Sequence, residues 1–547
     1  MNLVANFKND LKREFKGYNK SRFTKDVMSG ITVAAVALPL ALAFGVSSGA
    51  TAAAGLVTAV IGGLIMSFFS GASFQISGPT GAMTAVLVTL AAKYGMQGIL
   101  IASFIAGIFL VIAGFCKLGR VIYLIPSSVM TGFTSGIAVI IALGQLDNFF
   151  GIKSQGSLAI TKFISYFTMG FHPNIQAMAV GIGVIILMVI WPKKLNEKIP
   201  SSLASIVLVA ILVQFVDLNV DVIGDIPRTL LLEDHLSFAS LNLGVMKGML
   251  APAFTIAALC MVESLLCGAS AGKMKDEEMD ADRELIAQGI GNMVIPIFGG
   301  VPATAAIART SVAIKSGCET RLTGIIHSLI LLLSMFVLAP VMSDIPLSAL
   351  AGVLIVTAWR MNDFANIKYI FGHKFKSGMI KFIVTLAATV CLDLTEAIII
   401  GVIISALLVF FNISNIDISV RSVDDKRLEE VGIEVPYSSE DIKVAYLTGI
   451  IFFAVVDKLQ KELRRQEKNT KVLILSMRGV PSIDLSGVQA ITELIAFMQE
   501  HGTKVYITSA QPAVLEKMRR GGVIDMIGEE NVYKSAEYAI EEAYEEL

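Results

Sequence analysis

Arg309 ends the stretch FGGVPATAAIAR at residues 298–309 and brings a full positive charge into a run of small and apolar residues. Gly299, Gly300 and Pro302 interrupt any helix that arrives from the N-terminal side, and Pro302 suits the first turn of a new helix. The unpaired amides at such an N-terminus carry roughly half a positive charge, and small side chains leave them accessible. With Arg309 about one and a half turns further along, they predict a site for an anion.

The stretch SGPTGA at residues 77–82 has the same construction, because a Gly-Pro break again precedes small residues and an apolar helix. Pro79 lies 223 residues before Pro302, and Pro39 lies 224 residues before Glu263. Recurrence at nearly one offset indicates an internal repeat. Repeated halves with interrupted helices are typical of the binding site of a secondary transporter.

The two interrupted helices and the first apolar segment define the predicted substrate-binding residues. These are Pro39, Leu40, Ser77, Gly78, Pro79, Thr80, Thr304, Ala305, Ala306 and Arg309. Backbone amides and the hydroxyls of Thr80 and Thr304 would donate to the anion beside the guanidinium. Pro39 frees a carbonyl in the preceding turn and would form a further wall of the pocket, although a plain kink explains this proline equally well.

Two interpretations are open for Arg309. An arginine at mid-membrane costs on the order of 2.5–3.5 kcal/mol, so it needs a compensating negative group. One charge pair at about 4 Å contributes about 4 kcal/mol at an effective dielectric constant of about 20, before desolvation. The partner is either a bound anion, which makes Arg309 a coordinating residue, or Glu263, which makes the two residues a structural ion pair.

Glu263 is a carboxylate within an otherwise apolar helix, where burial makes the uptake of a proton possible. We therefore predict that Glu263 couples proton movement to transport, with structural pairing to Arg309 as the alternative. His327 lies in another apolar segment and is predicted to be a packing histidine whose ring nitrogens are satisfied by hydrogen bonds, rather than a ligand.

The composition predicts a membrane protein without enzymatic chemistry. Of 547 residues, 54% are hydrophobic and 16% are charged, and the mean hydropathy is +0.71. The net charge of −1 gives no overall field that would favour nucleic acid as a partner. The five cysteines lack paired spacing, so we expect no disulfide framework and no metal site. No Ser-His-Asp grouping or phosphate loop appears, which argues against an enzyme.

Fourteen apolar runs predict a polytopic α-helical membrane protein with fourteen spans, some of them shorter than the ~20 residues that a full crossing needs. Seven basic residues between Lys8 and Lys25 precede the first run, and basic residues follow the even-numbered runs from the fourth to the twelfth. Both termini are therefore predicted to be cytoplasmic, in a cell membrane. The runs lie at about 27–46, 51–70, 78–93, 96–116, 122–143, 174–191, 200–217, 247–268, 284–298, 302–316, 321–341, 345–358, 378–393 and 395–413.

The last part of the chain changes character after these runs. Alternating strand and helix patterns from 441 onwards predict a small α/β domain of roughly 105 residues, large enough for its own core. The predicted organisation is a cytoplasmic N-terminal segment, a transmembrane transporter domain, a charged linker and this α/β domain, at residues 1–25, 26–413, 414–440 and 441–547.

Several motifs together resemble the SulP anion transporter family, and the resemblance covers essentially the whole chain. The motifs are SGPTGAM at 77–83, IPSSVMTGFTSGI at 125–137, ESLLCG at 263–268, QGIGNMVIPIFGG at 288–300 and ATAAIAR at 303–309. VPSIDLSG at 480–487 resembles the STAS domain that closes such chains. The resemblance implies two inverted seven-span repeats, a core domain that moves against a gate domain, an anion held between the third and tenth helix N-termini, and homodimers.

Two branches of the family are informative. The ESLLCG and ATAAIAR segments resemble bacterial C4-dicarboxylate transporters, whereas ALPLALAFGVSSGA at 37–50 is similar to the sodium-dependent bicarbonate branch. That branch typically carries Asp and Thr where this chain has Glu263 and Cys267, and it has no arginine at the position of Arg309. These departures favour a proton over sodium as the coupling ion, and no other cofactor is expected.

Ser486 lies in IDLSG, at the position that is phosphorylated in STAS relatives that act as anti-sigma antagonists. It is a regulatory candidate, and a protein partner at the STAS domain is possible on this interpretation. The alternative, which we favour, is an ordinary helix N-cap.

The sequence thus predicts a secondary active anion transporter with proton-coupled uptake of a C4-dicarboxylate such as succinate or fumarate. Sulfate or bicarbonate is the alternative substrate. An uncoupled anion channel with the same pocket is the alternative class of protein.

Overall fold

The computed structural model forms two compact units, Met1–Ile404 and Ser405–Leu547. It describes residues 3–120, 125–154, 164–168, 171–196, 199–213, 215–216, 218–237, 243–392, 394–423, 441–466 and 470–546. The first unit is helical, and the second is a mixed α/β fold. This division agrees with the change of composition that the sequence shows near residue 413.

The described helices of the first unit comprise those that correspond to the apolar runs and four more that lie outside these runs. They are α1 (Leu3–Glu14), α2 (Lys20–Ser47), α3 (Ala52–Phe69), α4 (Gly81–Phe115), α5 (Ser127–Gly144), α6 (Leu146–Phe150), α7 (Ile175–Ile190), α8 (Lys193–Asn196), α9 (Ser201–Val213), α10 (Leu243–Lys275), α11 (Ala281–Val294), α12 (Ile307–Lys315), α13 (Leu322–Ser343), α14 (Leu347–Met361), α15 (Phe364–Gly372), α16 (Lys376–Cys391) and α17 (Leu394–Ile413). The last, α17, continues across the boundary at residue 404. Two short strands, β1 (Ser77–Gly78) and β2 (Thr304–Ala305), precede α4 and α12.

Each of the fourteen apolar runs coincides with a helix or with part of one. The third and fourth runs are the two parts of α4, which is broken at Gly95, where φ is 65° and ψ is −170°. Glycine adopts this conformation without the steric cost that a Cβ would bring. Within the described residues, six helices are long and apolar enough to cross a membrane and four more are apolar but shorter. The count of fourteen crossings stays a prediction.

The helices of the first unit pack in two groups. In the first, α4 packs on α10 and α11, while α13 packs on α2 and α3. In the second, α16 packs on α5, and α14 packs on α7. The groups also touch where α2 contacts α14 and where α4 contacts α5. We call them the α4 group and the α14 group.

Glycines allow the closest of these contacts. A Cβ on Gly107 of α4 would lie 2.6 Å from the carbonyl oxygen of Gly289 on α11, and a Cβ on Gly289 would lie 2.7 Å from the carbonyl oxygen of Gly107. Small residues at the same positions of facing helices let the backbones approach, which is the usual way to gain packing energy between helices in a membrane. The α4–α11 contact therefore depends on both glycines.

The second unit contains one five-stranded sheet in the order β3-β4-β5-β6-β7. Its strands are β3 (Asp417–Ser422), β4 (Ile442–Thr448), β5 (Val472–Gly479), β6 (Lys504–Thr508) and β7 (Val532–Tyr533). Its helices are α18 (Val456–Arg464), α19 (Leu485–Glu500), α20 (Pro512–Arg520), α21 (Val523–Ile527) and α22 (Ala536–Glu546). Strand β3 is antiparallel to β4, and the other pairs are parallel. The central strand β5 is buried from Val472 to Met477, as expected for a parallel strand covered on both faces.

Strand β3 corrects one predicted boundary. Residues 414–440 were expected to be a solvated linker, but Asp417–Ser422 pairs along its whole length with Lys443–Thr448 of β4. The α/β fold therefore begins before residue 441, because a strand adjacent in space supplies the partners for these backbone groups. Residues 424–440 of the predicted linker lie outside the described part of the chain.

Candidate anion-binding site

The two Gly-Pro breaks meet in the structure. Strands β1 and β2 pair antiparallel, with Ser77 opposite Ala305 and Gly78 opposite Thr304. The amide of Ala306 also donates to the carbonyl of Ile76 at 3.0 Å. The offset that indicated a repeat thus corresponds to a physical contact.

This pairing moves the start of both helices. The sequence predicted apolar helical runs from about 78 and 302, but α4 begins at Gly81 and α12 begins at Ile307. The residues of β1 and β2, which precede these helices, are extended because their backbone groups bond across the two strands instead of along a helix. Arg309 is consequently the third residue of α12 and lies in its first turn, not further along the helix.

Neither helix N-terminus is capped by its own N-cap side chain. Thr80 precedes α4, but its hydroxyl donates to Glu263 Oε2 at 2.9 Å instead of accepting from a first-turn amide. Ala306 precedes α12 and has no polar side chain to offer. The first amides of both helices therefore keep the partial positive charge that attracts an anion.

Arg309 is held against β1 and is only 1% exposed. Its Nη2 donates to the carbonyl of Pro79 at 2.9 Å, and its Nη1 has no hydrogen-bond partner in the part of the chain that the structure describes. A Cβ on Gly78 would lie 2.5 Å from Nη1, so the guanidinium needs glycine at this position. A guanidinium has five N–H donors, and this one retains donors for a ligand.

Arg309 and the two helix N-termini border a cavity of about 320 Å³. Its lining comprises Leu40, Phe44, Pro79, Thr80, Gly81, Phe133, Thr134, Ile137, Val262, Glu263, Leu266, Ala305, Ala306, Ile307, Ala308, Arg309, Ser311, Lys315, Thr357, Arg360 and Met361. Much of this wall is apolar, with a small number of polar groups converging on it, which is the usual composition of a small-molecule site. The lining residues come from both helix groups.

Most of the predicted site residues line the cavity. Leu40, Pro79, Thr80, Ala305, Ala306, Arg309 and Glu263 line it, whereas Pro39, Ser77, Gly78 and Thr304 do not. Thr304 is fully buried, and its hydroxyl is 2.7 Å from the hydroxyl of Ser264 on α10. The prediction that the Thr304 hydroxyl donates to the anion is therefore wrong for this structure, and so is the one for Thr80, because its single hydroxyl proton is donated to Glu263. Ser77 instead accepts a hydrogen bond from Gln288 at 2.8 Å.

Glu263 lines the same cavity as Arg309 without bonding to it. Its Oε2 accepts from Thr80, while Arg309 Nη2 donates to Pro79. The structure thus does not form the structural ion pair that was the alternative for both residues. An anion between Arg309 and the helix N-termini would supply the compensating charge instead.

Comparison with known proteins identifies the family. Residues 23–385 match the sulfate permease family, and residues 436–539 match the STAS domain. The chain belongs to the sulfate permease family. It is 34% identical to the "Putative sulfate transporter YvdB" of Bacillus subtilis (strain 168), over 95% of this chain and 97% of that protein. It is 28% identical to the "Bicarbonate transporter BicA" of Picosynechococcus sp. (strain ATCC 27264 / PCC 7002 / PR-6), over 95% and 94%.

Solved structures agree on the fold. The overall structure of SLC26A9 has a TM-score of 0.81 at 18% identity and covers 99% of this chain and 95% of its own. The transmembrane domain of a cyanobacterial bicarbonate transporter BicA has a TM-score of 0.61 at 28% identity and covers 71% and 98%. The chain is therefore a multi-pass membrane transporter for anions with the SulP transmembrane fold and a C-terminal STAS domain. The resemblance to the C4-dicarboxylate branch stays a prediction.

A buried polar face of α11 bonds to Ser77 of β1 and to Ala303, the residue before β2. Gln288 Nε2 donates to Ser77 and to Glu284 Oε1, both at 2.8 Å. Asn292 bonds the backbone amide and carbonyl of Ala303 at 2.8 and 2.9 Å. The sequence analysis did not predict these residues. Their spacing of four, which places polar side chains on one face of an apolar helix, could have indicated them.

Two further predictions concern residues away from the cavity. His327 is fully buried in α13, as a packing role requires, but neither ring nitrogen has a hydrogen-bond partner among the described residues, so the prediction that it is satisfied is wrong. In the STAS domain, Asp484 is the N-cap of α19 and accepts from the amide of Gly487 at 2.7 Å. Ser486 is the second residue of that helix, so the prediction that it is the N-cap is wrong. Its regulatory role stays a prediction.

Proposed function

We propose that this member of the sulfate permease family is a secondary active transporter that takes up a C4-dicarboxylate, such as succinate or fumarate, together with a proton. The observation that carries the proposal is the buried guanidinium of Arg309, which has an unpartnered Nη1 beside two uncapped helix N-termini. One carboxylate would accept from Nη1 and from the first amides of α4 and α12. Charge-assisted hydrogen bonds of this kind are stronger than neutral ones.

The rest of the cavity supports an organic anion. Phe44, Phe133, Ile137, Val262 and Leu266 form its apolar wall. The carbon chain of a dicarboxylate gains from contact with this wall, because apolar surface is removed from water on binding. An inorganic oxyanion has no apolar part and gains nothing from the same contact.

The position of Glu263 supports the proposed proton coupling. An ionised Glu263 in the same cavity repels a bound anion, and protonation removes that repulsion. Proton and anion would then favour each other's binding, which is the linkage that symport requires. Thr80 donates a hydrogen bond to Glu263 and also precedes the N-terminus of α4 that would bind the anion. The proton on Glu263 and the anion would therefore bind at adjacent groups.

Alternating access would come from movement of the α4 group against the α14 group, since both contribute to the cavity wall. Arg309 lies on α12, which packs on α2 and α10, and Glu263 lies on α10, so both belong to the α4 group. Phe133 lies on α5 and Thr357 on α14, in the α14 group. Rigid movement of one group past the other carries the site from one side to the other without rebuilding it. An anion channel would keep the cavity but would not need this movement.

Sulfate or bicarbonate is the second candidate substrate. It is favoured by two relatives, a putative sulfate transporter at 34% identity and a bicarbonate transporter at 28%. Each of these anions satisfies the charge of Arg309 as well as a carboxylate does. The substrate therefore has to be decided by competition.

Uptake of radiolabelled succinate into proteoliposomes under an imposed proton gradient tests the proposal. We expect saturable uptake that is inhibited by fumarate more strongly than by sulfate or bicarbonate, and that Arg309→Ala abolishes. Arg120→Ala, which removes an exposed arginine that does not line the cavity, is the matched control. Uptake of sulfate or bicarbonate in place of succinate would overturn the substrate assignment, and unsaturated conductance would overturn the transporter.

A further inference from the structure

Arg360 places a second guanidinium in the wall of the cavity. It is the penultimate residue of α14 and lines the cavity together with Lys315, the last residue of α12. Both positions have an ordinary explanation as basic residues at the end of an apolar helix. That explanation does not account for why both side chains line the same cavity as Arg309.

Two hydrogen bonds hold the guanidinium of Arg360. Its Nη2 donates to the carbonyl of Met188 on α7 at 2.7 Å, and its Nη1 donates to the hydroxyl of Ser201 on α9 at 3.2 Å. These bonds use two of five N–H donors and orient the planar group. The remaining donors are available to a ligand in the cavity.

The two arginines belong to different helix groups. Arg309 lies on α12, which packs on α2 and α10 in the α4 group, whereas Arg360 lies on α14 and bonds to α7 and α9 in the α14 group. Lys315 lies six residues after Arg309 on α12, which is about 9 Å along a helix axis. The cavity wall therefore carries three cationic side chains, of which Arg309 is buried whereas Arg360 and Lys315 are exposed.

We propose that Arg360, assisted by Lys315, forms a second anionic-group subsite that binds the far carboxylate of a dianion and so selects dicarboxylates over monocarboxylates. The inference rests on the proposed transport of a dicarboxylate. A dianion held at both subsites contacts both helix groups at once, whereas a monoanion at Arg309 contacts only one charged group. The charge on the second carboxylate is thus the feature that the cavity recognises.

Succinate and monomethyl succinate test this subsite, because the ester keeps the carbon chain and one carboxylate but loses the second charge. The half-saturating concentration of succinate and the inhibition constant of the monoester are measured in proteoliposomes for the wild type and four variants. Arg360→Gln and Lys315→Gln remove one cation each, Arg360→Lys keeps the charge, and Lys368→Gln removes an exposed lysine that does not line the cavity.

We expect Arg360→Gln to raise the half-saturating concentration of succinate about fivefold, the effect of one partly solvated ion pair, and to change the value for the monoester less than twofold. Lys315→Gln shifts both values in the same direction by less, Arg360→Lys restores most of the succinate affinity, and Lys368→Gln leaves both unchanged. Equal losses for succinate and its monoester in Arg360→Gln, with wild-type succinate transport intact, would overturn the subsite alone. Wild-type protein that neither transports succinate nor is inhibited by it would overturn the subsite together with the proposed function.

Discussion

Arg309 combines the two properties that a membrane anion site needs, which are burial and an unsatisfied donor. The charge is costly to insert, by on the order of 2.5–3.5 kcal/mol, and the protein offers it one carbonyl, that of Pro79. Its Nη1 has no partner among the described residues, and Glu263 bonds elsewhere. On the proposed function, an anion bound beside Arg309 would supply the missing charge.

The first prediction is that Arg309→Ala weakens anion binding by about 10- to 100-fold, since hydrogen bonds to charged groups contribute about 1.5–3 kcal/mol. The fold should persist, because alanine is easier to insert into a membrane than arginine. Ligand binding to the purified variant, with Arg120→Ala as the control, measures the effect. Unchanged affinity in a folded Arg309→Ala protein would remove Arg309 from the site.

The second prediction concerns Glu263→Gln, which imitates the protonated acid and keeps its shape. The amide oxygen still accepts from Thr80, so binding and exchange of the substrate across the membrane should continue. Uphill accumulation driven by an inward proton gradient should be lost, because the side chain no longer titrates. Glu396→Gln, an exposed acid that does not line the cavity, is the matched control.

Paired measurements of exchange and of gradient-driven accumulation in proteoliposomes separate the two roles of Glu263. If Glu263→Gln still concentrates substrate in response to the gradient, the proton moves through another group. Loss of exchange as well as accumulation would give Glu263 a binding role in place of a coupling role.

Strands β1 and β2 are only two residues long each, and α11 stabilises β1 through the hydrogen bond from Gln288 to Ser77. Helix α11 presents Glu284, Gln288 and Asn292 to the segments that carry the site, at positions where a lipid-facing helix would carry apolar residues. Glu284 also accepts from the hydroxyl of Ser70 and the amide of Gly71, at 2.6 and 2.8 Å. The geometry of the anion site is therefore a property of three elements and not of the two broken helices alone.

The third prediction is that Gln288→Leu destabilises the protein by about 1–3 kcal/mol, because it leaves the buried acceptors on Ser77 and Glu284 without a donor. Thermal or denaturant unfolding in detergent measures this loss. Gln97→Leu is the control, since Gln97 is exposed and its replacement should cost much less. Equal stability of the two variants would show that the polar face of α11 does not support the strands.

The cavity belongs entirely to the first compact unit, because each of its lining residues precedes residue 362. The STAS domain has its own sheet and its own buried core, from Ile416 to Ile527. A unit with a separate core is able to assist folding, assembly or regulation without touching the substrate.

The fourth prediction is that a chain truncated after Ile413 retains the anion preference of the full protein. Truncation at residue 440 would leave β3 without its partner β4 and expose an unpaired strand edge, so the earlier end point is the better design. Expression or transport rate should fall, but the order of competing anions in the inhibition panel should not change. A changed order in the surviving truncated protein would place part of the substrate path in the STAS domain.

The sequence alone determined the class of the protein, the helices and the two breaks that meet at the site. Apolar runs specify helices through local burial, and a proline with neighbouring glycines interrupts a helix wherever it falls. The similar proline breaks at Pro79 and Pro302 also indicated which two distant segments occupy equivalent places in the predicted repeat. Strands β4, β5 and β6 lie within the region from residue 441 onwards that was predicted to be α/β, whereas β3 lies within the predicted linker.

Only the tertiary structure decided which donors face the cavity. Thr80 and Thr304 occupy similar places in the two repeats, yet Thr80 lines the cavity and Thr304 bonds to Ser264. Arg360 read as a basic residue at a helix end, and its place in the wall with Arg309 depends on how α14 packs beside α2. The reason is that local pattern fixes which face of an element is buried, while the partners of a buried polar group come from segments distant in sequence.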